Sequence, residues 1–186
     1  MRTRLIAGPV EEPITLAETK LQCRIDGDDE DAVVLGLITS VRLACEQIAR
    51  RVFLTQTWDL TLDAWPCSNV IDLPYPPLQS VASITYIDSD NVSHTMSTND
   101  YFVDIDADPG RVCLAYGKAW PSVTLRPQAA IKIRFVAGWD NVENVPAIYR
   151  QAMLLEISNL YENRGDAEVQ MRDVTRDLLM MDRGSW

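Results

Sequence analysis

Hydrophobic positions along this chain recur first every three or four residues, then every two, then every three or four again. Thr15-Leu16-Ala17-Glu18 sets a hydroxyl three residues ahead of a carboxylate, each able to satisfy a free backbone N–H at a helix start. With Pro13 stopping any earlier helix, this predicts a short helix over about 15–24. Val34, Leu37, Ile38, Val41, Ala44, Cys45 and Ile48 then form one apolar stripe and predict a helix over about 30–51. Glu46 and Arg50 stand at i, i+4 and are expected on its exposed side, with Arg50-Arg51 at its carbonyl end.

The period shortens from Phe53 onward. Thr55 to Asp63 alternates, with Trp58, Leu60 and Leu62 on one face, as in a half-buried strand. A proline-punctuated loop follows, holding at most the short strand 70–73. Residues 81–87 and 92–96 flank Asp88-Ser89-Asp90-Asn91 as a hairpin, and 100–104 with 111–115 flank Ala107-Asp108-Pro109-Gly110 as a second. A last strand spans 130–137 and ends at Gly138. Six or seven short strands at this spacing suggest a small antiparallel sandwich or barrel.

Pro146 suits the first turn of a helix that Ile148, Ala152, Leu155, Ile157, Leu160 and Tyr161 carry to about Asn163. Beyond the break at Arg164-Gly165-Asp166, Met171, Val174, Leu178 and Leu179 return at helical spacing, followed by Met180, Met181 and Trp186. Such groups prefer burial, so the tail either folds back on its own core or docks into a partner. The fold class expected is α+β: a helical bundle of residues 13–52 and 145–164, an inserted antiparallel β-sandwich or barrel-like region over 53–144, and a tail over 165–186.

The 186 residues are 47% hydrophobic and 24% charged, an ordinary globular balance. A formal charge of −10 argues against gripping nucleic acid through a broad basic face. Cys23, Cys45, Cys67 and Cys113 form no C-x-x-C pair, and with a single histidine no zinc set of usual spacing results. They read as small hydrophobes in a reducing compartment. The start lacks a signal-peptide pattern, and the longest apolar run, 32–38, is too short to span a bilayer, so a cytosolic site of synthesis and no membrane are expected.

Motifs with chemistry fail on inspection. Asp104-Ile105-Asp106-Ala107-Asp108 starts like a calcium loop, but Pro109 and Ala115 occupy the places of the required glycine and glutamate. The segment from Gly110 to Lys118 has the wrong spacing for a phosphate loop and no hydroxyl after the lysine. His94 is an exposed strand histidine without a fixed partner. The acids cluster at turns and helix starts, where a structural reason exists. No catalytic, metal-binding or cofactor-binding residue is expected.

The order of segments is more specific than any single motif. Pro13-Ile14-Thr15-Leu16-Ala17-Glu18, the acidic turn with its long helix, Thr55-Gln56-Thr57-Trp58-Asp59-Leu60, Leu73-Pro74-Tyr75-Pro76-Pro77-Leu78, Pro109-Gly110-Arg111, Tyr116-Gly117-Lys118-Ala119-Trp120-Pro121, Ile133-Arg134-Phe135-Val136-Ala137-Gly138 and Val145-Pro146-Ala147-Ile148-Tyr149 follow one another in a chain. In this the chain resembles the head–tail connector (adaptor, head completion) proteins of tailed bacteriophages, the group whose helical bundle is interrupted by a β-rich insertion.

The resemblance implies a virion protein without catalysis or cofactor, assembled in the host cytoplasm. It implies a ring, commonly of twelve copies, between the portal protein and the tail or its stopper, with DNA passing through the lumen. In relatives the C-terminal segment engages the portal, which by position points to Met171, Val174, Leu178, Leu179, Met180, Met181 and Trp186. An acidic lumen wall would repel phosphate, so some of Asp26, Asp28, Asp29, Glu30 and Asp31 are expected to face the channel or a subunit boundary. The alternative is a β-rich binding module offering Trp58, Trp65, Trp120 and Trp139 to a carbohydrate or host-surface ligand.

Overall fold

The computed structural model describes residues 1–164 and 170–181. Among them are four α-helices and two antiparallel sheets totalling eight strands, a mixed α+β fold in which the sheets do not close into a barrel. The chain divides into two compact units: residues 1–8 with 55–138, and residues 9–54 with the described residues from 139 onward.

The helical unit contains α1 (Leu16–Cys23), α2 (Asp31–Ala49), α3 (Ala147–Glu162) and α4 (Asp173–Met180). Thr15 and Glu18 form the capping box that their spacing predicts: Thr15 Oγ1 accepts from the Glu18 N–H, and a Glu18 carboxylate oxygen accepts from the Thr15 N–H at 2.8 Å. On α2 the stripe Val34, Ile38, Val41, Cys45 and Ala49 is buried, meeting Tyr149, Ala152, Met153 and Ile157 of α3 and Leu179 of α4. By length and composition α2 could cross a membrane (19 residues, mean hydropathy 1.5), but here it is the core helix of its unit.

Three expectations shift in this unit. Phe53, Leu54, Trp139 and Val142 belong to its core or pack against it, so both crossings between units lie inside the boundaries read from periodicity. Glu46 is not on the exposed side of α2; it is 8% exposed, accepting from Arg42 Nη1 at 2.9 Å and from the Phe53 N–H at 2.9 Å. On α3 the buried set is Tyr149, Ala152, Met153, Glu156, Ile157, Ser158 and Asn159, wider than the expected stripe because α1, α2 and α4 all pack on this helix.

The β unit holds β1 (Arg2–Ala7), β2 (Gln56–Leu62), β3 (Val70–Asp72), β4 (Leu78–Ile87), β5 (Ser93–Thr95), β6 (Tyr101–Asp104), β7 (Arg111–Leu114) and β8 (Ile131–Ala137). One sheet runs β1-β2-β8-β4-β5 and the other β3-β7-β6. Central β8 alternates strictly, burying Ile131, Ile133, Phe135 and Ala137. Its Ile133 stands between Leu60 and Ile84, all three inaccessible to solvent. On the opposite face Arg134 clamps Asp59 through two bonds of 2.8 and 2.9 Å. Both expected hairpins form. Strand β1 was not foreseen: all six of its residues are exposed, so no buried face imprints a period on them.

Gly110, just before β7, admits no side chain. A Cβ there would lie 2.3 Å from the Leu78 Cβ, and the Gly110 carbonyl accepts from the Leu73 N–H at 2.8 Å. The glycine is set by this close approach of β4 to the turn, in addition to the turn itself.

Candidate functional site

The acidic turn between α1 and α2 is partly neutralised by its own chain. Lys20 Nζ donates to Asp28 at 2.8 Å and to Asp31 at 2.7 Å. Glu30 receives Arg164 Nη1 at 2.6 Å and the Tyr161 hydroxyl, both from the far end of α3, and Arg164 also lies over the Tyr161 ring. These bonds tie residues more than 130 positions apart, which no local spacing signals. Asp26 and Asp29 are exposed and lie outside the ion pairs seen among the described residues.

The partners also set protonation. Lys20 holds the Asp28 carboxyl below its ordinary value, as Arg164 and Tyr161 do for Glu30. At Glu18 the Thr15 backbone N–H is the largest single cause of a lowered carboxyl, against a smaller opposing effect of burial, with the Thr15 hydroxyl and Arg150 adding to the lowering. A depressed carboxylate contributes stability that is present above its unfolded pKa and lost as pH falls through its folded one. Stability of the helical unit therefore falls as the solution is acidified below about pH 4.5, the ordinary value for Glu18. Thr15→Ala is expected to cost about 1 kcal/mol at pH 7. Urea titrations between pH 7 and 3 should show a flatter acid limb for Glu18→Gln, which removes the titrating carboxylate while Thr15 stays in place; an unchanged limb would rule out Glu18 as a pH-sensitive element.

The C-terminal apolar residues face two ways. Leu179 is fully buried, and Met171 and Leu178 pack against the same core, so these three hold α4 to its own chain. Val174, Met180 and Met181 point outward at 52%, 44% and 73% exposure. Trp186 lies outside the described residues. The start of α4 is pinned polar to polar: Asn159 Nδ2 donates to the Gln170 carbonyl at 3.1 Å and Arg172 Nε to Asn159 Oδ1 at 3.2 Å.

The four described tryptophans, Trp58, Trp65, Trp120 and Trp139, are half-buried. Trp65 and Trp120 stack on one another, centroids 4.9 Å apart and planes within 4°, and Trp65 meets the edge of Tyr86. Trp58 packs on Tyr75. Trp139, read above as part of the β-insertion, belongs to the helical unit beside Tyr149.

The remaining candidate chemistry is structural. His94 Nε2 lies 2.7 Å from Asp88 Oδ2, while Asp88 Oδ1 accepts from the Asp90 and Val92 N–H groups at 2.9 Å, so the pair closes a hairpin turn. Burial, with Glu156 and Glu46 nearby, pushes the Cys45 thiol up to about 12, the opposite of an activated nucleophile. No group of three or more potential metal ligands assembles among the described residues.

One surface escaped the sequence reading. Leu35 and Leu43 on α2 are about half exposed, and the charged Arg42 and Glu46 between Ala32 and Gln47 are turned inward. The signal was present in the charge-free run 32–41, which was credited wholly to the buried stripe.

The chain belongs to the family described as phage gp6-like head–tail connector protein, which it matches over residues 13–105. No curated protein matches it. Among solved structures, its fold is that of a chain in the neck of an empty gene transfer agent (GTA) particle computed with C6 symmetry (TM-score 0.84). It is similarly close to a chain in the virion of a native GTA particle (0.82) and one in the neck of a native particle computed with C12 symmetry (0.80). Each is 20% identical in sequence, with 100% of this chain and 97% of the other covered.

Proposed function

We propose that this chain is a non-enzymatic virion protein, a head–tail adaptor that forms a ring beneath the portal protein and joins the DNA-filled head to the tail. The observation that carries this reading is the fold likeness along the whole chain to a neck component, reinforced by the connector family match. The C6 and C12 symmetries of those assemblies support a ring of twelve copies. On this reading the protein is assembled in the host cytoplasm, resides at the head–tail interface, and contacts the portal on one side and a tail or stopper protein on the other.

Twelve copies at −10 each give 12 × −10, about −120 before counterions, so DNA would pass through the lumen without being gripped. Asp26 and Asp29 supply the exposed part of the acidic turn that would face the lumen or a subunit boundary; Asp28, Glu30 and Asp31 are engaged by Lys20, Arg164 and Tyr161. Val174 and Met181 are outward-facing apolar residues of the described tail that would meet the portal.

Mixing the purified chain with portal and imaging the product tests the reading: a capped ring is expected, and persistent monomer would sink it. Truncation after Arg164 is a poor probe of docking because it strips Leu179 from the core. The double variant Val174→Glu/Met181→Glu leaves that core intact and is expected to weaken portal attachment by at least about tenfold. Attachment at wild-type strength would remove α4 as the docking element.

A further inference from the structure

We propose that the outer face of the five-stranded sheet is the seat of the next copy's acidic turn, Asp26 to Asp31, so that neighbours in the ring are joined by opposite charge. The inference rests on the ring reading above and names the two surfaces that meet at each boundary.

Register sets the face. Ile131, Ile133 and Phe135 of β8 are buried in the core, so Lys132 and Arg134 between them point outward. The row through Lys132 runs Arg2, Thr61, Lys132, Thr85, Thr95 across all five strands. The row through Arg134 runs Arg4, Asp59, Arg134, Ser83. Opposed side chains on neighbouring strands start about 5 Å apart, so the four cations share one patch. Arg134 is committed to Asp59 yet keeps a side chain 43% exposed, and Arg2 reaches Asp63 at 3.3 Å. Arg4 and Lys132 are exposed and form no ion pair among the described residues. Strand β1 buries none of its six residues; what it brings to this face is Arg2 and Arg4.

Past the strand ends, Arg126 donates to the Ala129 carbonyl at 2.6 Å, and Asp88 is taken by His94. With Arg126, Asp88 and Asp63 included, five cations meet three acids, a surplus of +2 in a chain of −10. The rest of the chain therefore carries −12.

That division selects the partner. Copies of one sign repel when set side by side, unless each boundary brings a basic face against a neighbour's acids. Every copy carries both halves, so one heterologous contact repeated about an axis satisfies them all. A DNA backbone is poorly served, because Asp59 stands among the four cations and a surplus of two neutralises few phosphates. The turn between α1 and α2 packs five carboxylates into six residues. Lys20 and Arg164 bind it and Arg24 precedes it, leaving −2, equal and opposite to the sheet face. Those bonds, with that of Tyr161 to Glu30, hold the turn in shape beforehand, so little ordering opposes its docking. Asp26 and Asp29 are exposed, and the Asp28 side chain stays 90% exposed while bound to Lys20.

The test uses the full-length chain with portal, half the copies carrying heavy nitrogen, and a carbodiimide that joins a lysine amine to a touching carboxylate. Mass spectrometry of the assembled ring should find Lys132 of one label linked to Asp26, Asp28 or Asp29 of the other. Lys132→Glu and Asp29→Lys should each form the ring at least about fivefold more weakly. The chain carrying both should recover most of that loss, because the charges are exchanged across the boundary. Both positions are exposed, so all three variants are expected to melt like wild type. If Lys132 links only to portal or to other carboxylates, or to nothing on another copy, the proposal fails while the ring reading stands. It fails equally if the single variants assemble like wild type, or if wild type binds labelled duplex DNA and Lys132→Glu does not. If wild type forms no ring with portal, both fail. Should a variant melt lower, the crosslink alone decides.

Discussion

Tyr149→Ala is expected to destabilise the helical unit by about 3–5 kcal/mol, the usual range for deleting a buried aromatic. Tyr149 is fully buried in α3, stacks on Phe53 with centroids 4.7 Å apart, and lies 5.8 Å from Trp139. Its ring therefore joins α3 to the segments where the chain leaves and re-enters the unit. A domain's whole stability is about 5–15 kcal/mol, so the variant should lose a large fraction of it. Urea unfolding followed by far-UV circular dichroism measures the loss. A cost under about 1 kcal/mol would mean that the surrounding helices collapse into the space and that the aromatic stack is dispensable.

Arg42→Met should cost a similar amount for an electrostatic reason. Arg42 Nε donates to Glu12 at 2.6 Å and Nη1 to Glu46 at 2.9 Å, with the Arg42 and Glu46 side chains only 6% and 8% exposed. Removing one member of a buried pair strands the other's charge, typically at about 3–5 kcal/mol. Adding Glu46→Gln should restore part of the loss, because the amide oxygen can still accept from the Phe53 N–H while the charge is gone. Denaturant midpoints of the two single variants and the double variant give the coupling. Strict additivity would show that the pair is screened like one on the surface.

What periodicity exposes is one-sided burial. The α2 stripe and the alternation of β8 are legible because each element covers one face and wets the other, and both hairpins are legible from the turn residues between their strands. Strand β1 covers neither, so Arg2 to Ala7 carries no pattern and becomes a strand only through its ladder with β2. Helix α3 fails in the opposite sense: three helices pack on it, so Glu156 and Asn159 are buried beside Tyr149 and the stripe loses its edges. Glu46 was misplaced because its acceptor role is created by a backbone turn seven residues on.

The candidate surfaces divide along the same line. The apolar residues of the tail were visible in the sequence, but which of them face outward depends on how α4 seats on its neighbours. Only the structure separates Leu179 from Val174 and Met181. The acids of the turn were equally visible, yet Lys20, Tyr161 and Arg164 decide which remain available to a partner. Two of those three are contributed from beyond the β unit in sequence.

The strand order β1-β2-β8-β4-β5 also governs when the protein can fold during its own synthesis. The strand that bridges β2 and β4 is β8, residues 131–137, so a nascent chain that has emerged only to residue 130 holds its outer strands without the one between them. The helical unit waits too, since α3 begins at Ala147. Both units therefore close over long separations, a topology that folds slowly and leaves unpaired strand edges exposed to neighbouring chains until the last quarter of the polypeptide has left the ribosome.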